Sequence, residues 1–277
     1  MTLPAAGRPF KLVKPAHGRV AEWLKAPDSK SGVVARLPWV RIPPLPPSPE
    51  SGACARKFLK SLIIMDAHFW HERWEQNHIP FHQSETNPLL AANFKKLSVT
   101  KGGRVFLPLC GKTLDIPWLL SKGHRVAGAE LSKIAIGQLF DGLGVKPKIT
   151  QLGKMDRYCA DNLDIFVGDI FDLTRKTLGS VDAIYDRAAL VALPPKMRER
   201  YTAHLMKITG KAPQLLISFE YDQRQMDGPP FSVSNDEVKR RYEKSYNLTL
   251  LSSKDVPGGL KGICPAKENA WLLKHEP

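Results

Sequence analysis

Residues Arg104 to Leu131, RVFLPLCGKTLDIPWLLSKGHRVAGAEL, decide the fold. An apolar strand, a tight turn containing Gly111, a short helix and a second apolar strand ending on Glu130 make the first half of a nucleotide-binding βαβ unit. A carboxylate at the end of the second strand can accept hydrogen bonds from both hydroxyls of a ribose, so an adenosine compound is expected there. The plainer reading of Glu130 is a solvated strand end. The turn Leu107-Pro108-Leu109-Cys110-Gly111-Lys112-Thr113 has one glycine and lacks the G-x-G-x-x-G that makes room for a pyrophosphate, which weighs against NAD. Gly111-Lys112-Thr113 imitates the end of a P-loop, but that motif needs glycine where Phe106 stands, so an ATPase is a poor reading. S-adenosylmethionine carries the same ribose without phosphates and tolerates this turn.

Outward from this unit, composition sets the limits. A chain of 277 residues with 43% hydrophobic content can bury a sizeable core. No apolar run approaches the ~20 residues that cross a bilayer, so no membrane association is expected. Cys54, Cys110, Cys159 and Cys264 are widely separated, without C-x-x-C or clustered histidine, which excludes a disulfide framework and suggests no metal site. A reducing, cytoplasmic setting fits.

The net charge of +14 invites a nucleic-acid reading, but it is unevenly spread. Residues 1–64 hold 11 Lys/Arg against 3 Asp/Glu, and 10 of the 23 prolines, including Pro43-Pro44-Leu45-Pro46-Pro47-Ser48-Pro49. Such a stretch favours polyproline II and cannot sustain helices or central strands. Residues 1–64 are therefore expected to be a disordered or non-native extension, with Met65 as the natural first residue of a catalytic domain spanning 65–277. As a basic arm binding RNA or DNA the extension would give steep salt dependence. It lacks the interleaved aromatics that stack on bases, so no nucleic-acid partner is expected. Within it, only Lys57 to Ile64 looks amphipathic.

From Met65 the pattern is orderly. Asp66 to Asn77 reads as a helix with Trp70 and Trp74 four apart on one face. Helices follow near Pro88–Leu97 and over Leu114–Lys122, the latter with Gly123 at its C-terminal cap, and from a Ser132 cap to about Leu143. Strands are read at Asp164–Val167, Val181–Tyr185 and Gln214–Glu220, with a helix over Lys196–Thr209. Asn235 is placed to cap a helix of Asp236–Tyr246, and Leu248–Ser252 with Asn269–Lys274 look like a closing hairpin. Alternating strands and helices predict an α/β fold: a mainly parallel, seven-stranded sheet covered on both faces, with an antiparallel C-terminal edge. Ligands in such sheets sit beyond the carboxyl ends of the strands, which gathers Leu109, Glu130, Asp169 and Arg187 around one crevice.

The motifs FWHERW, PFHQ, FLPLCGKTLDIPWL, GHRVAGAELS, GDIFDL, YDRAALVALP and GPPF, running from Met65 to the C-terminus, resemble the thiopurine S-methyltransferase family. The resemblance implies a Rossmann-like class I methyltransferase fold, S-adenosyl-L-methionine as cofactor, and methyl transfer to the sulfur of thiopurines or other aromatic thiols. Selenium or tellurium species are alternative acceptors. By motif, Trp74 looks like the aromatic residue lying against the cofactor, Leu109 a backbone or packing contact, Glu130 the ribose acceptor, and Asp169 with Ile170 the pair flanking adenine. Arg187 resembles an arginine serving both cofactor and substrate, and Phe81 a wall of the thiol pocket; Trp70 is a weaker match. No catalytic base or metal is implied, because a sulfonium methyl is already activated and direct in-line displacement asks mainly for positioning. Removal of the Glu130 carboxylate is expected to weaken cofactor binding with the fold intact. A small-molecule thiol is the expected partner and a monomer the expected state. One segment departs from the family pattern: Lys254–Lys267 is Gly/Pro-rich where a longer, Arg-containing stretch is implied.

Overall fold

The computed structural model describes residues 67–275. The expectations for residues 1–64, including the amphipathic stretch Lys57–Ile64, fall outside that range. The chain divides into Met1–Lys60 and Ser61–Pro277, and only the second unit is described below.

The nine strands are β1 (Arg104–Leu107), β2 (Arg125–Glu130), β3 (Lys148–Leu152), β4 (Met155–Ala160), β5 (Leu163–Val167), β6 (Ala183–Arg187), β7 (Gln214–Glu220), β8 (Asn247–Asp255) and β9 (Lys267–Lys274). They form one sheet in the order β3-β4-β5-β2-β1-β6-β7-β9-β8. The five central strands, β5 to β7 in that order, are mutually parallel. The β8–β9 hairpin joins β7 antiparallel. The chain runs from β1 outward to β2 and β5, then crosses to β6 on the other side of β1. That reversal opens a crevice at the carboxyl ends of β1 and β6, the usual ligand position in open α/β sheets.

Helices cover both faces: α1 (67–75), α2 (Pro88–Asn93), α3 (Asp115–Ser121), α4 (Lys133–Leu143), α5 (Arg175–Leu178), α6 (Pro195–Thr209) and α7 (Asn235–Tyr242). The period-two alternation of the strands sorts the core into two layers. Val105, Leu107, Ala183, Tyr185, Leu215 and Ile217 pack with Leu90, Ile116, Leu119, Ile136 and Phe140 of α2, α3 and α4. Phe106, Ile184 and Leu216 point the other way, onto Tyr201, Leu205, Ile208, Val238 and Tyr242 of α6 and α7. Each such fully buried side chain contributes roughly 1.5–3 kcal/mol relative to exposure.

Four local expectations are corrected. The sheet has nine strands rather than seven because β3 and β4 add a hairpin that pairs antiparallel on β5. All five residues of β3 are exposed, so its sequence KITQL shows no buried apolar face. Asp164 of β5 ties this hairpin inward, accepting from Arg157 Nη2 of β4 at 2.6 Å and from Arg104 Nη2 of β1 at 2.9 Å. The cap of α7 is Ser234, not Asn235: the Ser234 hydroxyl accepts from the Glu237 N–H. That helix ends at Tyr242 rather than 246, since β8 begins at Asn247. The helix read over Pro88–Leu97 is α only to Asn93 and continues as a 3₁₀ turn, Phe94–Leu97. Ser132 does cap α4, accepting from the Ala135 N–H, and Gly123 takes the left-handed position just beyond α3 at φ 82°.

Candidate active site

The turn after β1 is held by β2 before any ligand is considered. Cys110 N–H donates to the Ala129 carbonyl at 3.0 Å. Gly111 N–H donates to Glu130 Oε2 at 2.7 Å, and Ser132 N–H to Glu130 Oε1 at 2.9 Å. Burial pushes the Glu130 carboxyl up, and the backbone N–H groups of Ser132, Gly111 and Leu131 pull it back toward ionisation. The carboxylate is thus a staple between the two strand ends as well as a cavity-facing acceptor. Alanine at this position would leave the Gly111 and Ser132 N–H groups without their acceptor.

Leu109 sits at φ 47°, a left-handed conformation that costs a branched, bulky residue on the order of 1–3 kcal/mol. The turn needs it to aim Cys110 back at β2 and leave Gly111 facing the cavity. At Gly111 (φ 54°) a Cβ would lie 3.1 Å from Trp74 Cζ2, so the indole of α1 closes directly over the turn.

Trp74 is 4% exposed. Phe81 stands edge-on to both tryptophans of α1, with ring centroids 5.6 Å from Trp74 and 5.7 Å from Trp70. Arg187, the last residue of β6, donates through Nη2 to the Phe81 carbonyl at 3.2 Å, fixing this aromatic wall to the sheet. Beyond β5, Asp169 accepts from the Phe171 N–H at 2.9 Å and caps the 3₁₀ turn Ile170–Asp172; Asp169 is exposed and Ile170 buried. His204 of α6 bonds the Ile170 carbonyl at 2.8 Å, so that turn is braced from below.

Trp70, Trp74, Phe81, Leu109, Glu130, Asp169, Ile170 and Arg187 all line one cavity of ≈ 460 Å³, a volume usual for small-molecule sites. Every residue singled out in the sequence is brought there by the ends of α1, β1, β2, β5 and β6 or the loop at Phe81. Others were missed. His82 lies on the wall, its imidazole pushed toward the neutral form by burial and by the charges of Lys112 and Arg187. Tyr185 reaches in from β6, and Arg200 of α6 stacks 3.7 Å above the Phe171 ring. Phe231 joins the wall from the Gly228–Phe231 segment. His82 and Phe231 lie inside the PFHQ and GPPF motifs, which was the available signal. Arg200 has none, since its place depends on how α6 packs. Among the described residues there is no cluster of three metal-ligating side chains and no helix long and apolar enough to cross a membrane.

The chain matches the family model described as Thiopurine S-methyltransferase (TPMT) over residues 65–275. It belongs to that family. The thiopurine S-methyltransferase of Xanthobacter autotrophicus is 54% identical over 212 residues, 76% of this chain and 100% of that protein. That of Teredinibacter turnerae is 49% identical over 211 residues, 76% and 98% of the two chains. A SAM-dependent methyltransferase of Anabaena variabilis shares the fold at TM-score 0.50 and 14% identity, over 76% of this chain and 95% of that one. The methyltransferase fold and its cofactor class follow: S-adenosylmethionine.

The residues present fit that cofactor. Each Glu130 oxygen has one backbone N–H partner at hydrogen-bond distance, and a carboxylate offers about four lone-pair sites, so acceptor capacity remains for a ribose diol. Trp74 packs so closely on Gly111 that a side chain at position 111 would displace the indole from the cavity wall.

Proposed function

We propose that this methyltransferase moves a methyl group to the sulfur of thiopurines or related aromatic thiols. The supporting observation is the shape of one cavity: a carboxylate-bearing strand edge on one side and an aromatic wall of Trp70, Trp74, Phe81 and Phe231 on the other. In this reading Glu130 holds the ribose, Asp169 and Ile170 flank the adenine, and Trp74, Leu109 and Arg187 contact the rest of the cofactor.

When bound, S-adenosylmethionine supplies an electrophilic methyl on a sulfonium. The chain's own residues supply placement. Phe81 and Trp74 exclude water and orient a flat acceptor, so that its sulfur forms the new C–S bond as the old one breaks. Arg187, tethered to the Phe81 backbone, is at hand to stabilise an anionic acceptor. His82 is pushed toward the neutral form, and no side chain is needed as a dedicated base for a thiol that ionises near neutral pH. The catalytic unit is residues 65–277, acting as a monomer. With Cys110, Cys159 and Cys264 all free thiols, the cytoplasm is the proposed setting.

The test is methyl transfer from S-adenosylmethionine to 6-mercaptopurine followed by mass spectrometry, beside a melting curve with S-adenosylhomocysteine. A raised melting midpoint with a methylated thiopurine supports the reading. A raised midpoint without methylation of any aromatic thiol removes the acceptor assignment, and an unmoved midpoint removes the cofactor site.

A further inference from the structure

A second cavity of ≈ 180 Å³ lies behind the aromatic wall. Trp70, Phe81, Arg187, Ala188, Ala192 and Pro229 line both cavities, so the two meet at these side chains. Their chemistry differs. The ionisable residues around the smaller one are Arg73, Arg187, Lys261 and Glu268, three cations against one carboxylate.

Among the described residues, Arg73 and Lys261 have no carboxylate partner. Arg73 of α1 lays its guanidinium on the Phe69 ring at 4.2 Å, and among the described residues its side chain has one polar approach, Nη1 to His78 Nδ1 at 3.5 Å. Its Nε is buried without a hydrogen-bond partner among the described residues. Lys261 Nζ donates to the Pro229 carbonyl at 2.7 Å, a neutral acceptor that leaves its charge unbalanced. Burial and the nearby Arg73 charge both push the Lys261 ammonium down, the mark of two cations held near one another. Burial pushes the Glu268 carboxyl up, and the field of Arg187 draws it back. Glu268 thus lies in the field of Arg187, and Arg73 and Lys261 complete the charged lining of the cavity. Lys261 comes from the Gly/Pro-rich segment after β8, and its backbone at φ 54° between Gly259 and Gly262 turns it toward Pro229. Like charges brought together in a partly desolvated recess are destabilising, and an entering anion removes that cost.

We propose that the smaller cavity is a carboxylate-binding annex of the acceptor site, and that Arg73 and Lys261 select aromatic thiols bearing an anionic arm on the side away from the sulfur. The inference rests on the S-methyl-transfer reading and narrows its substrate class. The thiol faces the larger cavity, the ring spans the Phe81 and Pro229 wall, and the carboxylate reaches the two cations. No bond in the annex changes; it sets which acceptor is held.

The experiment compares 4-mercaptophenylacetate with 4-mercaptophenylacetamide on the full-length protein. The methylene group insulates the ring, so the two thiols have closely similar acidity and differ in the arm alone. The expected ratio of kcat/KM, acid over amide, is about tenfold or more in the wild type, falling to near one in Arg73→Met and to an intermediate value in Lys261→Met. A binding readout accompanies it: calorimetric titration of the S-adenosylhomocysteine-saturated protein with 4-(methylthio)phenylacetate and its amide should show the same preference and the same losses. Lys261 is exposed, so its variant keeps the test open if Arg73→Met does not fold. A wild-type ratio near one, or a ratio unmoved in both variants, overturns the annex while leaving thiol methylation standing. Methylation of neither thiol would bring down the S-methyl-transfer reading and the annex with it.

Discussion

The two halves of the main cavity are built by different means. On the side proposed for the cofactor, Glu130, Gly111 and Ser132 are joined by backbone-to-carboxylate hydrogen bonds at adjacent strand ends. On the acceptor side, Trp70, Trp74 and Phe81 meet edge to face, and a single Arg187 hydrogen bond ties them to the sheet. The first half is rigid because its geometry is inherited from parallel strand pairing. The second depends on the seating of α1 and the loops around Phe81 and Pro229, and can change shape without disturbing the sheet. Cofactor recognition is therefore expected to tolerate few changes and acceptor choice many.

The largest break in that comparison comes from Glu130→Ala. Loss of charge-assisted hydrogen bonds to the ribose should weaken S-adenosylhomocysteine binding by about a hundredfold or more in calorimetric titration. The two orphaned N–H groups should also destabilise the protein, at about 1–3 kcal/mol each. An unchanged dissociation constant would take Glu130 out of the site.

Asp186 precedes Arg187 on β6. It is fully buried, accepting from the Tyr201 hydroxyl at 2.7 Å and the Leu190 N–H at 3.1 Å, and burial pushes its carboxyl up to about 6. That folded value exceeds the roughly 3.9 of an unfolded aspartate, so the native state binds the extra proton between those values. Its stabilising contribution is complete below about pH 4 and lost as pH rises through 6, a swing of about 3 kcal/mol. Asp186→Asn should therefore gain on the wild type in Tm between pH 4 and pH 7.5. A difference in Tm that does not move with pH would contradict the assignment.

Smaller effects sharpen the acceptor side. Phe81→Ala should lower kcat/KM for an aromatic thiol by about 10- to 30-fold while changing the S-adenosylhomocysteine dissociation constant by less than about threefold. Equal losses in both would mean that the halves are not separable. The smallest effect expected is none: a chain beginning at Met65 should transfer methyl groups to a thiopurine at the full rate. Lost activity in that chain would assign residues 1–64 a role.

The half proposed for the cofactor was legible because its residues end strands or follow directly on them, Glu130 and Arg187 at the ends of β2 and β6 and Leu109 and Asp169 just past β1 and β5. The apolar runs around Phe106 and Val126 announce the strands, and Glu130 stands where the second one stops. The boundaries of β7, Gln214–Glu220, were also plain from its apolar residues Leu215, Leu216, Ile217 and Phe219. What was hidden has physical causes. β3 was hidden because none of its side chains is buried, and Ser234 was passed over because its neighbour Asn235 caps equally well in principle. The acceptor half was legible only through motif likeness. Its walls join residues as far apart as Phe81, Arg200 and Phe231, which no local period connects.

β3 carries one more consequence. It is one of the two outermost strands of the sheet, with Ile149 55% and Leu152 37% exposed. A strand at that position offers its backbone groups as a template on which another polypeptide can extend the same ladder. Concentrated preparations should therefore begin ordered aggregation at this border, far from the catalytic crevice, with Lys148 and a length of only five residues as the gatekeepers against it.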